Sequence, residues 1–269
     1  MDGAGEFQGG MRDLNDSDWR KSLEDIGETE GYFEPLGARH FSIFADAGPV
    51  LLVSFESRTR IRALQDDQLP YGLSLARTNG WSSLSLVAEA DTWFRDAAVH
   101  AYFDRLIDEA FFEDFDRVVF YGEGACAYAA CAYSVAAPGA TVIALRPQAT
   151  LEPLAAGWDD RFVSKRRLDS TAAALPPRWL EAAGAGYVFY DLFERLDAMH
   201  AALFARPGTS SRSPAAMGIE IEWVLAEDRC ARPAAGNGGR RPAAPAGDMA
   251  ALRARRDPPR YLRMVIGAP

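Results

Sequence analysis

The residues whose types and spacing could do chemistry lie in a glycine turn near the middle of the chain. Residues 118–121 are apolar and predict a buried strand, 122–124 a tight turn, and 125–134 an alanine-rich helix. A strand, a turn and a helix in this order place backbone amides at the start of the helix, where an oxyanion or a phosphate can bind. We therefore expect the functional site at this turn.

One device that fits the turn is the nucleophile elbow, G-x-S-x-G. Its small residues allow a strained central residue to project its side chain, and the next amide stabilises the oxyanion. Here Gly124 occupies the central position, so the reactive hydroxyl is absent, while the amide of Ala125 is retained. The pattern predicts an elbow scaffold without its nucleophile.

The dinucleotide turn G-x-G-x-x-A is the competing interpretation. It matches Gly122, Gly124 and Ala127, and it would hold a pyrophosphate at the start of the helix. Arg146, at the end of the next predicted strand, could suit the 2′-phosphate of NADP. That fingerprint normally lies in the first strand–helix unit of a domain, whereas three strands and a long helix precede this turn. The strand order of the sheet decides between the two interpretations.

Length and composition indicate a globular protein with one large α/β domain. The 269 residues are 48% hydrophobic and 25% charged, and the net charge of -9 argues against nucleic acid as a partner. The three cysteines form no disulfide framework, and they have no metal-ligand spacing with the histidines. We find neither a signal peptide nor an apolar stretch that could cross a membrane. We expect a cytoplasmic protein without a metal, cofactor or membrane partner.

The order of the predicted elements favours a three-layer α/β/α sandwich. Strands and helices alternate through most of the chain, which predicts a mostly parallel sheet with an antiparallel N-terminal edge. At that edge, 41–45 and 50–55 are predicted to pair as a hairpin. Periodic apolar residues predict one helix over 91–112.

Composition divides the chain into four parts. Residues 1–38 are expected to form a flexible acidic arm with a short helix near 16–25, and 39–230 the α/β domain, with a last strand at 219–225. Residues 231–247 are rich in Ala, Pro and Gly and predict a disordered loop. Residues 248–269 are expected to form a C-terminal helix and tail.

The segment Phe120-Tyr-Gly-Glu-Gly-Ala-Cys-Ala-Tyr-Ala-Ala130 resembles the elbow of α/β-hydrolases, where Tyr-Gly-x-Ser-Met-Gly-Gly-Tyr-Ala-Ala is frequent. Further segments, among them Thr92-Trp-Phe-Arg-Asp96 and Leu196-Asp-Ala-Met-His-Ala-Ala202, are similar to a bacterial α/β-hydrolase-like group often labelled phosphoadenosine-phosphosulfate reductase. That reductase activity is not expected, because the chain lacks the Ser-Gly-Gly-x-Asp-Ser phosphate loop, and Cys230 is followed by Ala-Arg-Pro.

The resemblance implies an α/β-hydrolase-like fold with a broken triad. Its nucleophile position maps to Gly124, its oxyanion amide to Ala125 and its acid to Asp191. His200 is the last histidine of the chain and the remaining candidate base, although a packed or solvated helix histidine is the simpler interpretation.

The implied function is a catalytically degenerate protein that binds a small molecule or another protein, or acts in an assembly. Two alternatives stay open. One is an active serine-independent hydrolase or esterase, for which Cys126 and Ser134 are poor nucleophile candidates, and Cys126 is expected to be a buried structural side chain. The other is an NADP-binding protein that uses Gly122, Gly124, Ala127 and Arg146.

Overall fold

A computed structural model describes residues 11–168, 182–191, 193–204 and 209–212. Its centre is an eight-stranded sheet with the order β1-β2-β4-β3-β5-β6-β7-β8. The strands are β1 (Gly31–Leu36), β2 (His40–Ala45), β3 (Val50–Ser57), β4 (Ser82–Ala88), β5 (Arg117–Glu123), β6 (Thr141–Leu145), β7 (Ala185–Phe189) and β8 (Thr209–Arg212). The α-helices are α1 (Asp16–Glu30), α2 (Arg58–Leu64), α3 (Tyr71–Asn79), α4 (Ala97–Asp108), α5 (Ala125–Tyr133), α6 (Pro153–Ala156) and α7 (Arg195–Ala202).

Among the described strands, β2 alone runs antiparallel to its neighbours' common direction. It pairs antiparallel with both β1 and β4, whereas every pairing from β4 to β8 is parallel. The glycine turn therefore follows β5, a central strand flanked by β3 and β6, and the antiparallel pairs lie at the N-terminal edge. This is the arrangement that the elbow interpretation requires, and the α/β-hydrolase-like fold class is confirmed.

Alternation along the central strands builds the three layers. In β5, Val118 and Phe120 contribute to the core under α4 and α5, whereas Val119 and Tyr121 contribute to the core under α3. Successive side chains of a strand point to opposite faces, so a strand covered on both sides reads as a continuous apolar run. The sheet is therefore buried between helices.

The N-terminal region differs from the expected flexible arm. Asn15 caps α1, since its side chain accepts hydrogen bonds from the amides of Ser17 and Asp18, both at 3.0 Å. Trp19 and Leu23 of this helix are buried in a small core together with Phe41 and other residues. The helix is polar apart from this narrow stripe, and its packing on the sheet could not be read from composition.

The hairpin predicted for 41–45 and 50–55 is wrong. β2 and β3 exist, but β4 lies between them, and β2 forms its hairpin with β1 instead. Adjacent strands in sequence usually pair, and here β4, which follows two helices, inserts between them.

The helix predicted over 91–112 is shorter than expected. It begins at Ala97, because the Asp96 side chain accepts a hydrogen bond from the Ala98 amide at 3.1 Å and caps it. Trp93 and Phe94 lie in a loop, have positive φ angles of 57° and 55°, and are buried. Because both residues are apolar, the predicted helix included a segment that is not helical.

Some expectations fall outside the described residues. These are the strand at 219–225, the loop at 231–247 and the C-terminal helix and tail at 248–269. The strand β8 at Thr209–Arg212 was not predicted.

Candidate functional site

Gly124 adopts the backbone conformation of an elbow. Its φ and ψ angles are 62° and -122°, a region that L side chains rarely adopt. Its amide donates to the carbonyl of Leu145 at 2.9 Å, and its carbonyl accepts from the amides of Ala127 and Tyr128 at 3.1 and 3.2 Å. A Cβ placed on Gly124 would meet no heavy atom within 4 Å. The turn thus has room for a side chain that the sequence does not supply.

Gly122 is required by the close packing of β5 against α5. A Cβ at this position would lie 2.3 Å from the carbonyl oxygen of Cys126 and 2.7 Å from the amide nitrogen of Ala127. These are backbone atoms of the helix, which cannot rotate away. The first glycine of the motif therefore serves the packing of strand on helix.

The first turn of α5 supplies free amides beside Gly124. The first amides of a helix have no partner within it, and the helix dipole makes this end partly positive. No side chain caps α5. Ala125 is half-buried, and the role of its amide as an oxyanion donor stays a prediction.

A cleft of about 180 Å³ lies beside the turn, at the carboxyl ends of β3 and β5. In open α/β sheets this end of the strands is where ligands bind. The cleft is lined by Phe55, Glu56, Ser57, Arg60, Ile61, Leu64, Gln65, Tyr71, Tyr121, Glu123 and Cys126.

Glu56 is the buried acid of this cleft. Its carboxylate accepts hydrogen bonds from the amides of Tyr71 (2.7 Å) and Gly72 (2.9 Å) and from the Ser54 hydroxyl (2.8 Å). Burial raises the pKa of Glu56, although these hydrogen bonds act in the opposite direction. The carboxyl group thereby supplies the acceptor that the start of α3 lacks, because Pro70 provides no side-chain cap. Sequence reasoning missed this residue, whose only signal is an acid ending an apolar strand.

Two arginines converge on Glu123, the residue that precedes the turn. Arg60 of α2 donates to one carboxylate oxygen of Glu123, and Arg146 donates to the other. The side chain of Arg146, which the dinucleotide interpretation assigned to a 2′-phosphate, is therefore engaged by a carboxylate at the turn itself.

His200 is buried and satisfied at both ring nitrogens. Its Nδ1 accepts from the Ala149 amide at 3.1 Å, which assigns the proton to Nε2, and Nε2 donates to Asp159 Oδ2 at 3.0 Å. The Trp158 ring packs against the imidazole with centroids 4.6 Å apart. Burial lowers the pKa of His200, so the ring stays neutral at physiological pH. These contacts are those of a structural histidine.

Among the described residues, neither Asp197 nor Asp191 is hydrogen-bonded to His200. Asp197, one helical turn before the histidine, forms an ion pair with Arg161 at 2.9 Å. Asp191 accepts a hydrogen bond from the Phe193 amide at 2.9 Å, a local turn after β7. Among the described residues, no hydrogen bond joins Asp191, His200 and Gly124. The catalytic assignment of Asp191 and His200 stays a prediction.

The substitute nucleophiles are buried. Burial raises the pKa of the Cys126 thiol to about 12, so the thiolate is scarce at neutral pH despite the helix start. The Ser134 hydroxyl is buried at the other end of α5 and donates to the Cys131 carbonyl at 2.8 Å. Cys126 lines the cleft, but its thiol stays protonated at neutral pH, and Ser134 is not among the residues that line the cleft.

The described part of the chain has neither a candidate metal cluster nor a helix that could span a membrane. No group of three or more His, Cys, Asp or Glu side chains there could hold a metal ion. In the same residues, no helix combines the length and the apolar character needed to span a bilayer.

Similar proteins were found only at the level of three-dimensional structure. No protein-family model matches the sequence, and no curated protein matches it. The HSL homologue EstE7 from a metagenome library is 17% identical with a TM-score of 0.44, covering 75% of this chain and 82% of that one. A hormone-sensitive lipase from a metagenome library is 19% identical with a TM-score of 0.43, covering 74% and 80%.

A third similar structure is carboxyl esterase 2 from the fungus Tuber melanosporum. It is 13% identical with a TM-score of 0.42, and the match covers 67% of this chain and 72% of the esterase. Identities and scores this low carry no information about substrate or mechanism.

Proposed function

We propose that this chain is a catalytically degenerate protein of the α/β-hydrolase fold, which uses the cleft beside Gly124 to bind a ligand and not to cleave it. The observation that carries the proposal is the backbone of Gly124, which keeps the elbow turn and the space above it but has no reactive group. A small molecule is the occupant that a cleft of about 180 Å³ accommodates, and a protein side chain inserted into it is the alternative.

The chemistry of the surrounding groups supports the same proposal. A serine-independent hydrolase would need another nucleophile at the turn, and the pKa of Cys126, the nearest thiol, is raised to about 12 by burial. It would also need a base, and both nitrogens of His200 are engaged away from the turn, by Ala149 and Asp159. An NADP site is not favoured, because the turn follows a central strand and Glu123 holds Arg146.

An esterase assay tests the proposal. We expect both the wild-type protein and the Cys126→Ala variant to hydrolyse p-nitrophenyl acetate no faster than buffer alone. Wild-type turnover that disappears in Cys126→Ala would identify a cysteine hydrolase and refute the lost-nucleophile proposal. Turnover that persists in Cys126→Ala would refute it as well, through a nucleophile not considered.

A second assay addresses the elbow and the cofactor. Gly124→Ser restores a hydroxyl where a Cβ meets nothing within 4 Å, and acylation of this serine by p-nitrophenyl acetate, detected by mass spectrometry, would support an intact oxyanion site. We expect no saturable binding of NADPH, followed by tryptophan fluorescence. Micromolar NADPH binding that is lost in Arg146→Gln would favour the dinucleotide function instead.

A further inference from the structure

A second pocket lies between α4 and α5, and it shares no lining residue with the cleft at the elbow. Its volume is about 150 Å³. Four aromatic rings, those of Phe94, Phe103, Tyr128 and Tyr133, line it. At its rim two apolar side chains are exposed to solvent, Ile107 at 47% and Val135 at 49%. The pocket therefore offers an apolar, aromatic surface to a ligand.

Arg95 lines the same pocket and is incompletely paired. Its Nε and Nη2 atoms are buried, and neither has a hydrogen-bond partner within the described part of the chain. These two nitrogens form one edge of the guanidinium group, the edge that binds a carboxylate through two parallel hydrogen bonds. A buried donor on a permanent charge is unfavourable unless it is satisfied. The edge is thus suited to an acceptor from outside the chain.

Hydrogen bonds to both backbone groups of Phe94 constrain the segment Thr92-Trp-Phe-Arg-Asp96, which carries Arg95. Thr92 Oγ1 accepts from the Phe94 amide at 3.3 Å, and the Tyr133 hydroxyl donates to the Phe94 carbonyl at 2.7 Å. Trp93 and Phe94 have positive φ angles, which persist only where the surroundings determine them. The loop is therefore constrained, and it fixes the backbone of Arg95 at the pocket.

We propose that this pocket binds an organic monocarboxylate with an aromatic body. The carboxylate pairs with Nε and Nη2 of Arg95, and the body packs among Phe103, Tyr128 and Tyr133. Since both nitrogens are shielded from water, the half-buried Arg95 side chain turns toward the ligand as it enters. Asp104 also lines the pocket, and its negative charge selects a single carboxylate over a doubly charged phosphate.

Calorimetric titration of the full chain with phenylacetate tests the proposal. We expect saturable binding that is at least tenfold weaker in Arg95→Gln and unchanged in Arg77→Gln, which alters a surface arginine that lines neither pocket. Phenylacetamide and phenyl phosphate should bind at least tenfold more weakly than phenylacetate. Asp104→Asn should bind phenylacetate more tightly, because it removes a like charge.

Three results would overturn the proposal: no binding of phenylacetate, equal binding by Arg95→Gln, or equal binding of phenylacetamide. Far-UV circular dichroism checks that each variant is folded. If Arg95→Gln does not fold, Arg95→Lys keeps the charge and loses the planar edge. It is then expected to be folded and to bind phenylacetate more weakly, and wild-type affinity in Arg95→Lys would contradict the paired geometry.

Discussion

The two glycines of the elbow are predicted to respond differently to an added methyl group. At Gly124 the methyl meets nothing within 4 Å, so Gly124→Ala is penalised only by its φ angle of 62°. Such backbone strain costs on the order of 1–3 kcal/mol, and the stiffer unfolded chain returns about 0.4–1 kcal/mol. We expect Gly124→Ala to lower the free energy of unfolding by about 1–2 kcal/mol.

At Gly122 the penalty is steric. The added Cβ would lie 2.3 Å from the Cys126 carbonyl oxygen, where ordinary contact begins at 3.4 Å, so β5 and α5 must separate by about 1 Å. Overpacking of this kind costs about 1–3 kcal/mol and occasionally more, and rigid backbone neighbours place Gly122→Ala at about 3 kcal/mol or above.

Urea denaturation, followed by far-UV circular dichroism and tryptophan fluorescence, measures both losses. Gly80→Ala is a control for a positive φ without crowding, since Gly80 has a φ of 66° with nothing within 4 Å, and its ψ of 36° places it in the left-handed region. It should cost no more than Gly124→Ala and less than Gly122→Ala. If Gly124→Ala were as destabilising as Gly122→Ala, the space above the turn would be occupied and the elbow geometry refuted.

Two further predictions concern buried charge. Burial lowers the pKa of His40 from 6.5 to about 4. As the pH falls, the unfolded chain therefore binds a proton at His40 before the folded chain does. The free energy of unfolding should decrease by about 3 kcal/mol between pH 6.5 and pH 4. Urea unfolding at several pH values should show this dependence flattened in His40→Gln, and unchanged profiles would contradict it. Arg161→Gln removes the guanidinium that pairs with both Asp159 and Asp197, whose side chains are only 3% and 9% exposed, and should cost about 3 kcal/mol or more. Arg77→Gln, which breaks a pair with Glu30 at the surface, should cost less than about 1 kcal/mol, and similar losses in the two variants would show that burial is unimportant.

The elbow could be predicted because its determinants are local. An apolar run followed by two glycines and an alanine-rich segment predicted a strand, turn and helix at 118–134, and β5 and α5 occur there. The sequence alone also shows that Gly124 has no side chain that could act as a nucleophile. The strand order, which separates the elbow from the dinucleotide turn, is not local and came only from the structure.

The flexible arm expected at the N-terminus and the helix predicted over 91–112 differ from the structure for reasons that the apolar pattern does not show. α1 is polar apart from a stripe with Trp19 and Leu23, and its order comes from packing on the sheet. Trp93 and Phe94 continue the apolar periodicity of α4 toward the N-terminus. However, α4 begins only after its cap at Asp96, so both residues lie outside the helix. Packing on the sheet orders α1, whereas a local cap at Asp96 decides where α4 begins.

The sequence by itself determined the alternation of strands and helices, the glycine turn and its missing hydroxyl, because these depend on residues that are neighbours in the chain. Only the tertiary structure decided which groups contact one another, at the site and away from it. Glu56 caps a helix that begins fifteen residues later, Arg60 and Arg146 reach Glu123 from separate elements, and His200 binds Asp159 and Ala149. Such partners are selected by distance after the sheet has formed, and no spacing in the sequence encodes them.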